Sequence, residues 1–188
     1  MAKLEDPELT TPSDKMLVLA VLAGDKAAYE KLYDYYAPLV RAVCYDTTGN
    51  LADAQDLAQD VFMRAYENLD QLRDPDRFGK WLVGIARLRS HEWLRRNLHL
   101  RDKRVELSEA QIAIPDPPED DRIELLRKMI ATLPDKERLA LHTFYLQGNS
   151  ADNARRIMGL SRSGYYRVLE RARKRLKQLM PGEREAIR

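Results

Sequence analysis

Three aspartates, Asp53, Asp56 and Asp60, come closest in this chain to a catalytic or metal-binding pattern. Carboxylates can transfer protons or hold a hard cation, but such a cation takes about six oxygen ligands. No histidine or further acid stands at ligand spacing, and Asp60 lies a full turn beyond Asp56. We therefore predict no catalytic residue, no metal and no cofactor, and we interpret the acids as a charged surface.

The other residues with reactive side chains are scattered. His91, His99 and His142 lie far apart in the sequence, and Cys44 is the only cysteine, which excludes an intrachain disulfide and a cysteine-based zinc cluster. The first 14 residues lack the pattern of a signal peptide, and no apolar run approaches the ~18 residues of a membrane span. We expect a cytoplasmic protein. A metal-dependent hydrolase is a weak alternative, with metal-dependent turnover as its signature.

The three acids must be positioned by an amphipathic helix. Apolar residues recur at four-residue spacing, at Leu57, Val61, Ala65 and Leu69. One helical face is therefore apolar, and the acids point elsewhere. After a polar break at residues 70–76, a second helix is predicted over residues 76–97. Its apolar series begins at Phe78 and its exposed face is basic.

The two helices together carry a long motif. The chain reads DAQDLAQDVFMRAYENL, then a loop, then FGKWLVGIARLRSHEWLRR. This resembles region 2 of the bacterial sigma factors, in particular the small extracytoplasmic-function group, and the match has no gap. The preceding segment GDKAAYEKLYDYYAPLV resembles a sequence that the same group carries there.

The resemblance implies that the acidic helix docks on the basic coiled coil of the RNA polymerase clamp. The residues it assigns to this contact are Asp53, Asp56, Gln59 and Asp60. Their side chains would pair with arginine and lysine of the polymerase. A solvated charged face is the alternative that the charges alone leave open. Gln55 stands where the family usually has glutamate, which removes one charge.

The basic helix carries what promoter opening needs, namely aromatic faces for unstacked bases and cations for phosphates. The resemblance implies that the minus-10 element is contacted by Arg77, Phe78, Lys80, Trp81 and Arg87. Packing in the core is the alternative for both tryptophans, and it is preferred for Trp93. Leu88 and Gly84 depart from the family pattern, so the preferred base is left open.

The C-terminal third is basic, although the net charge of the whole chain is only +2. From residue 122 onward there are 16 Lys and Arg against 7 Asp and Glu, whereas the first 121 residues carry 16 against 23. This asymmetry suggests a polyanion partner. Residues 106–121 carry six acids, no base and three prolines, which favours a linker.

A helix-turn-helix is predicted after the linker, with helices over residues 150–158 and 162–180 and a glycine-containing turn between them. This segment, with the RARKRL run, resembles sigma region 4. The resemblance implies that the minus-35 element is read by Arg162, Tyr166, Arg167, Glu170, Arg171, Arg173 and Lys174. Arginine can read guanine, glutamate can accept from cytosine, and the remaining cations suit phosphates.

Two residues depart from the usual helix-turn-helix pattern. Arg155 stands where these motifs usually place alanine, so we expect a slight rotation that lets Ala154 make the close contact. Gly164 lies within the recognition helix, where glycine costs about 1 kcal/mol relative to alanine. The minus-35 sequence therefore stays open.

We predict an all-α fold with two small helical domains joined by a flexible linker. The divisions are a lead-in (1–13), region 2 (14–97), a linker (98–121), region 4 (122–180) and a tail (181–188). We expect no appended C-terminal regulatory domain.

The predicted function is that of a bacterial alternative sigma factor, not an enzyme, used in a stress response. Its predicted partners are core RNA polymerase, through the clamp coiled coil and the flap, promoter DNA, and an anti-sigma factor. Two alternatives remain: a helix-turn-helix regulator that binds duplex DNA without polymerase, and an adaptor that binds polymerase without opening DNA.

Overall fold

The computed structural model describes residues 13–105, 121–148 and 150–180. These residues form eight α-helices and no strand, which confirms the all-α prediction. The helices are α1 (Asp14–Leu22), α2 (Lys26–Thr48), α3 (Leu51–Glu67), α4 (Phe78–Val105), α5 (Asp121–Ala131), α6 (Asp135–Tyr145), α7 (Ala151–Met158) and α8 (Arg162–Leu179). Two single 3₁₀ turns, Leu69–Gln71 and Pro75–Arg77, connect α3 to α4.

Gly24 and Asp25 interrupt the helical pattern of the sequence, and α1 and α2 are separated there. Ser13 caps α1 by accepting a hydrogen bond from the backbone N–H of Met16. Gly24 has φ 101°, a conformation that glycine adopts without steric cost, and Asp25 then caps α2.

A proline in a helical pattern predicts a helix boundary, and by this rule Pro38 should begin a new helix, but it lies inside the continuous helix α2. Proline removes one hydrogen bond, the one its N–H would donate to the carbonyl of Asp34. Asp34 is exposed, so water can hydrate that carbonyl. The prediction of a helix boundary at Pro38 was therefore wrong.

Two other boundaries also need correction. The type and position of Asp53 predict that it caps α3, but Asn50 is the cap, since its side chain accepts the backbone N–H of Asp53 at 3.0 Å. Helix α4 continues through Val105 instead of ending near Asn97, because residues 98–105 contain neither glycine nor proline. The first part of the predicted linker is thus helical, and its remainder, residues 106–120, lies outside the described residues.

Helices α1 to α4 surround one hydrophobic core. Tyr36 on α2 is fully buried there and donates a hydrogen bond from its hydroxyl to Asp14 at 2.6 Å. Its ring packs edge-on against Phe78 of α4. A Cβ at position 79 would lie 2.6 Å from the Tyr36 hydroxyl oxygen, so only glycine allows α4 to approach α2 this closely.

Helices α6 to α8 form a second core. Tyr165 of α8 is fully buried and donates from its hydroxyl to the carbonyl of Ala140 at 3.0 Å. Ala154 of α7 is also fully buried, while Arg155 lies at the surface beside Asp152. Ala154, and not Arg155, therefore lies in the core, while the rotation of α7 stays a prediction.

The second group of helices packs directly on the first. Leu139 of α6 and Ile157 of α7 are buried in the same cluster as the core of α1 to α4. The division into two domains stays a prediction, but the helices assigned to the two parts share an interface that has apolar and polar components.

Candidate nucleic-acid interface

The acidic side of α3 is mostly open to solvent. Asp53, Asp56 and Gln59 are exposed, while the opposite side of the helix is buried through Leu57 and Val61. Asp53 and Asp56 are three residues apart and therefore lie on neighbouring turns of one face. These two carboxylates are available to a basic partner.

Asp60 differs from the other acids because it already has a partner. Arg89 of α4 donates from Nε to Oδ2 of Asp60 at 2.5 Å and also binds Glu92. The hydrogen bond to Asp60 is the largest contribution to the raised pKa of Arg89. Asp60 therefore links α3 to α4, and its charge is largely neutralised inside the chain.

The predicted minus-10 residues on α4 divide into surface and core. Lys80 and Arg87 are exposed, and Arg77 is exposed with its Nε 2.9 Å from Asp74. Trp81 is half-buried. Phe78 is fully buried, so it cannot offer a stacking face to a base, and the residue acts in the core instead.

All seven predicted minus-35 residues on α8 are exposed. The apolar side of the helix is buried through Tyr165, Val168, Leu169 and Ala172. The polar side contains Arg162, Tyr166, Arg167, Glu170, Arg171, Arg173 and Lys174. A helix with one side held in a core and the other side basic fits the recognition helix of a helix-turn-helix.

Helix α8 is fixed along both edges of its exposed side. The guanidinium of Arg173 lies 4.9 Å from the ring centre of Phe144, a cation–π contact with α6. On the other edge, Nε of Arg175 lies 3.0 Å from Oε2 of the buried Glu137, without the alignment of a hydrogen bond. Between these edges, Arg167, Glu170 and Arg171 face solvent.

Two glycines shape the connection from α7 to α8. Gly159 has φ 64°, which ends α7 in the left-handed conformation. Ser161 caps α8 by accepting the backbone N–H of Gly164 at 3.2 Å, and a Cβ at position 164 would lie 3.0 Å from that hydroxyl oxygen. Gly164 therefore lies in the first turn and accommodates the cap.

Sequence reasoning missed Arg89 and Arg175, whose partners lie 29 and 38 residues away. Helical spacing can indicate the Arg89–Glu92 pair. No local pattern identifies Asp60 or Glu137 as partners, because both contacts depend on how helices pack.

The described residues contain neither a metal-binding cluster nor a helix that could span a membrane. No group of three or more His, Cys, Asp and Glu side chains there could hold a metal ion. No described helix combines the length and apolar character that crossing a bilayer requires.

The helix-turn-helix with an exposed basic helix, joined to a bundle with an acidic and a basic face, defines the class: an all-helical DNA-binding transcription protein. Residues 32–99, which cover most of α2 through α4, match the family Sigma-70 region 2.

Curated relatives extend the match over most of the chain. The extracytoplasmic-function (ECF) RNA polymerase sigma factor SigM of Bacillus subtilis is 31% identical over 157 residues, covering 80% of this chain and 93% of SigM. SigW of the same organism is 29% identical, with coverages of 88% and 97%. The probable RNA polymerase sigma factor RfaY of Xanthomonas campestris is 30% identical, but the chain spans only 40% of its length.

Two solved structures share the fold. CnrH, in complex with the cytosolic domain of CnrY, has a TM-score of 0.59 at 24% identity, covering 89% of this chain and 97% of CnrH. RpoE of Bartonella quintana, in complex with the anti-sigma factor NepR, has a TM-score of 0.54 at 22% identity, with coverages of 80% and 95%. The chain belongs to the ECF family of RNA polymerase sigma factors, which bind the core enzyme and direct promoter-specific initiation.

Proposed function

We propose that α3, α4 and α8 divide the work of a sigma factor among them. The exposed acids Asp53 and Asp56, with Gln59, dock on a basic surface of core RNA polymerase. Helix α8 places Arg167, Glu170 and Arg171 in the major groove of the minus-35 duplex. The observation that carries this assignment is the exposure of the whole polar side of α8 beside its buried apolar side.

Helix α4 contacts the minus-10 region with the cations Lys80 and Arg87 and with the half-buried Trp81. Exposed cations suit the phosphates of a separated strand, and the indole offers an aromatic surface to a base. Phe78 supports this surface from below, since its ring lies 6.1 Å from that of Trp81. Asp60 supports the docking surface mainly by fixing α4 against α3, and its charge is secondary.

No catalytic step is assigned to the chain, because initiation requires it only to bind, orient and separate DNA for the polymerase. An anti-sigma factor is proposed as a further partner. Both structural neighbours were solved with a partner, CnrH with the cytosolic domain of CnrY and RpoE with the anti-sigma factor NepR. We also propose that the protein acts in the cytoplasm, where polymerase and promoter meet.

Transcription from a promoter library by purified core polymerase tests the assignment. With the wild-type chain we expect transcripts that start downstream of one shared two-part motif. Asp56→Lys should reduce all of them, because it weakens docking. Arg167→Ala with Arg171→Ala should reduce those that depend on the upstream element.

Matched controls separate these effects from a general loss of charge. Asp34→Lys reverses an exposed acid on α2, and Lys26→Ala with Lys31→Ala removes two exposed cations from the same helix. Both controls should transcribe normally. Duplex DNA binding without polymerase, together with no new start site, would favour a helix-turn-helix regulator. Normal transcription after loss of both arginines would favour an adaptor.

A further inference from the structure

Helix α8 carries four cations in the run RARKRL, namely Arg171, Arg173, Lys174 and Arg175. All four are exposed, and Arg175 lies one turn beyond Arg171, so charge and spacing alone allow each of them to reach a phosphate. Their contacts with α6 differ, however, and these contacts decide which of the cations is available to DNA.

Arg175 is held by a buried acid of α6. Glu137 is only 5% exposed, and its Oε2 accepts no hydrogen bond within the described part of the chain. Nε of Arg175 lies 3.0 Å from this oxygen, although the side chain of Arg175 is 56% exposed. The pair therefore joins a carboxylate in the interior to a cation at the edge of the exposed side of α8.

The ion pair matters more to Glu137 than to Arg175. Burial deprives the carboxylate of water, and its position in the first turn of α6 favours a negative charge through the helix dipole. Removing the partner of a buried charge is strongly destabilising, whereas water readily replaces the partner of an exposed arginine. A phosphate that drew Arg175 away would leave Glu137 as a buried charge without this counter-ion. That consequence opposes the transfer of Arg175 to DNA.

Arg173, on the opposite edge of α8, shows a different arrangement. Its guanidinium lies over the rings of Phe144 and Tyr145, 4.9 and 5.6 Å from their centres. Such stacking uses the flat face of the guanidinium and leaves the N–H groups at its edge to donate elsewhere. Contact with α6 therefore leaves Arg173 able to bind a phosphate, whereas it restrains Arg175 from doing so.

We propose that Glu137 is a positioning residue that keeps Arg175 away from the DNA backbone and so lowers the sequence-independent part of the affinity of α8 for duplex DNA. Phosphate contacts carry no sequence information. With one such contact fewer, a larger share of the affinity depends on the residues of α8 that read base edges. This inference rests on the proposed placement of α8 in the major groove.

The salt dependence of duplex binding tests the proposal. The logarithm of the affinity falls with the logarithm of the salt concentration, with a slope of about 0.9 for each phosphate that a cation neutralises. Glu137→Gln removes the charge and keeps the shape of the side chain, so Arg175 should then neutralise one further phosphate. Between about 50 and about 200 mM salt, the affinity of this variant should fall about 3.5-fold further than that of the wild-type chain.

The measurement uses the full chain bound to core polymerase, and fluorescence anisotropy of a labelled random-sequence duplex reports binding. The DNA contacts of the polymerase itself are the same for every variant, so a difference between variants reports on α8. At the lower salt concentration, Glu137→Gln should also bind the duplex more tightly than the wild-type chain does.

Two control variants separate the release of Arg175 from a general loss of negative charge. Glu137→Gln with Arg175→Gln should return the salt dependence to that of the wild-type chain, because no released cation remains. Asp135→Asn removes another acid from the first turn of α6 and leaves Arg138 paired with Asp46 at 2.8 Å. Its salt dependence should match the wild type.

A purely structural role of Glu137 would not steepen the salt dependence. Circular dichroism checks that each variant is folded, and Glu137→Met repeats the measurement at similar volume without a buried amide. An unchanged salt dependence in both Glu137 variants would overturn the proposal. Equal steepening in Asp135→Asn, or in the double variant, would overturn it as well.

The proposed function is judged separately by Lys174→Ala. This variant removes an exposed cation that contacts no acid in the described ranges, so its affinity should fall about 3.5-fold less than that of the wild type over the same salt interval. An unchanged salt dependence in Lys174→Ala would refute the placement of α8 on duplex DNA, whatever the Glu137 variants show.

Discussion

Asp56 and Asp60 lie one turn apart on α3, and exchanging each for alanine should affect different properties. Asp60 accepts a hydrogen bond from Arg89 at 2.5 Å, with side-chain exposures of 35% and 20%. A hydrogen bond between charged groups contributes about 1.5–3 kcal/mol when buried, and solvent at this pair reduces that to about 1–2 kcal/mol. Asp60→Ala should lower the free energy of unfolding by that amount.

Asp56 is exposed and forms no ion pair within the described part of the chain. Asp56→Ala should therefore change the free energy of unfolding by less than about 0.5 kcal/mol. Asp56→Lys should weaken binding to core polymerase about tenfold, which corresponds to about 1.4 kcal/mol, through loss of one attraction and gain of one repulsion. Higher salt should narrow the difference in polymerase affinity between Asp56→Lys and the wild-type chain.

Urea unfolding followed by circular dichroism measures the free energy of unfolding. Fluorescence anisotropy of the labelled chain, titrated with core polymerase, measures the affinity for the polymerase. Asp34→Lys is the control for surface charge in both assays. The reasoning fails if Asp56→Ala destabilises the fold as much as Asp60→Ala, or if Asp56→Lys binds core polymerase as tightly as the control does.

Four further predictions concern the interior. Burial raises the pKa of Asp14, so the folded state loses stability as the pH rises from about 4. Asp14→Asn should flatten that decline of the melting temperature with pH. Tyr36→Phe should lower the free energy of unfolding by about 1 kcal/mol, because it removes the hydroxyl that donates to Asp14. The buried thiol of Cys44, with its pKa raised by burial to about 12, should resist iodoacetamide at pH 8 in the folded chain and react in denaturant, as mass spectrometry will show. Ala154→Leu should destabilise the helix-turn-helix by roughly 1–3 kcal/mol through overpacking and reduce minus-35 duplex binding at 37 °C, measured by urea unfolding and gel shift.

Local sequence patterns predicted the helices because their signals are local. The four-residue apolar spacing of α3 and the Gly24 break each depend on neighbours within a turn or two. The boundary at Pro38 was mispredicted because a proline normally ends a helix, whereas here Asp34, the residue whose carbonyl loses its partner, is exposed. The extension of α4 was missed because helix-forming residues without an apolar period resemble a linker.

The sequence by itself determined the family, the helical fold, and the residue types of the acidic and basic surfaces. Only the tertiary structure decided which of those residues are available. Phe78 has the type of a base-stacking residue but is buried against Tyr36, and Asp60 has the type of a docking acid but is bound to Arg89. The ion pair between Asp46 and Arg138 was likewise beyond sequence reasoning. Helical period fixes which residues share a face, whereas burial and ion pairing depend on residues far away in the chain that packing brings together.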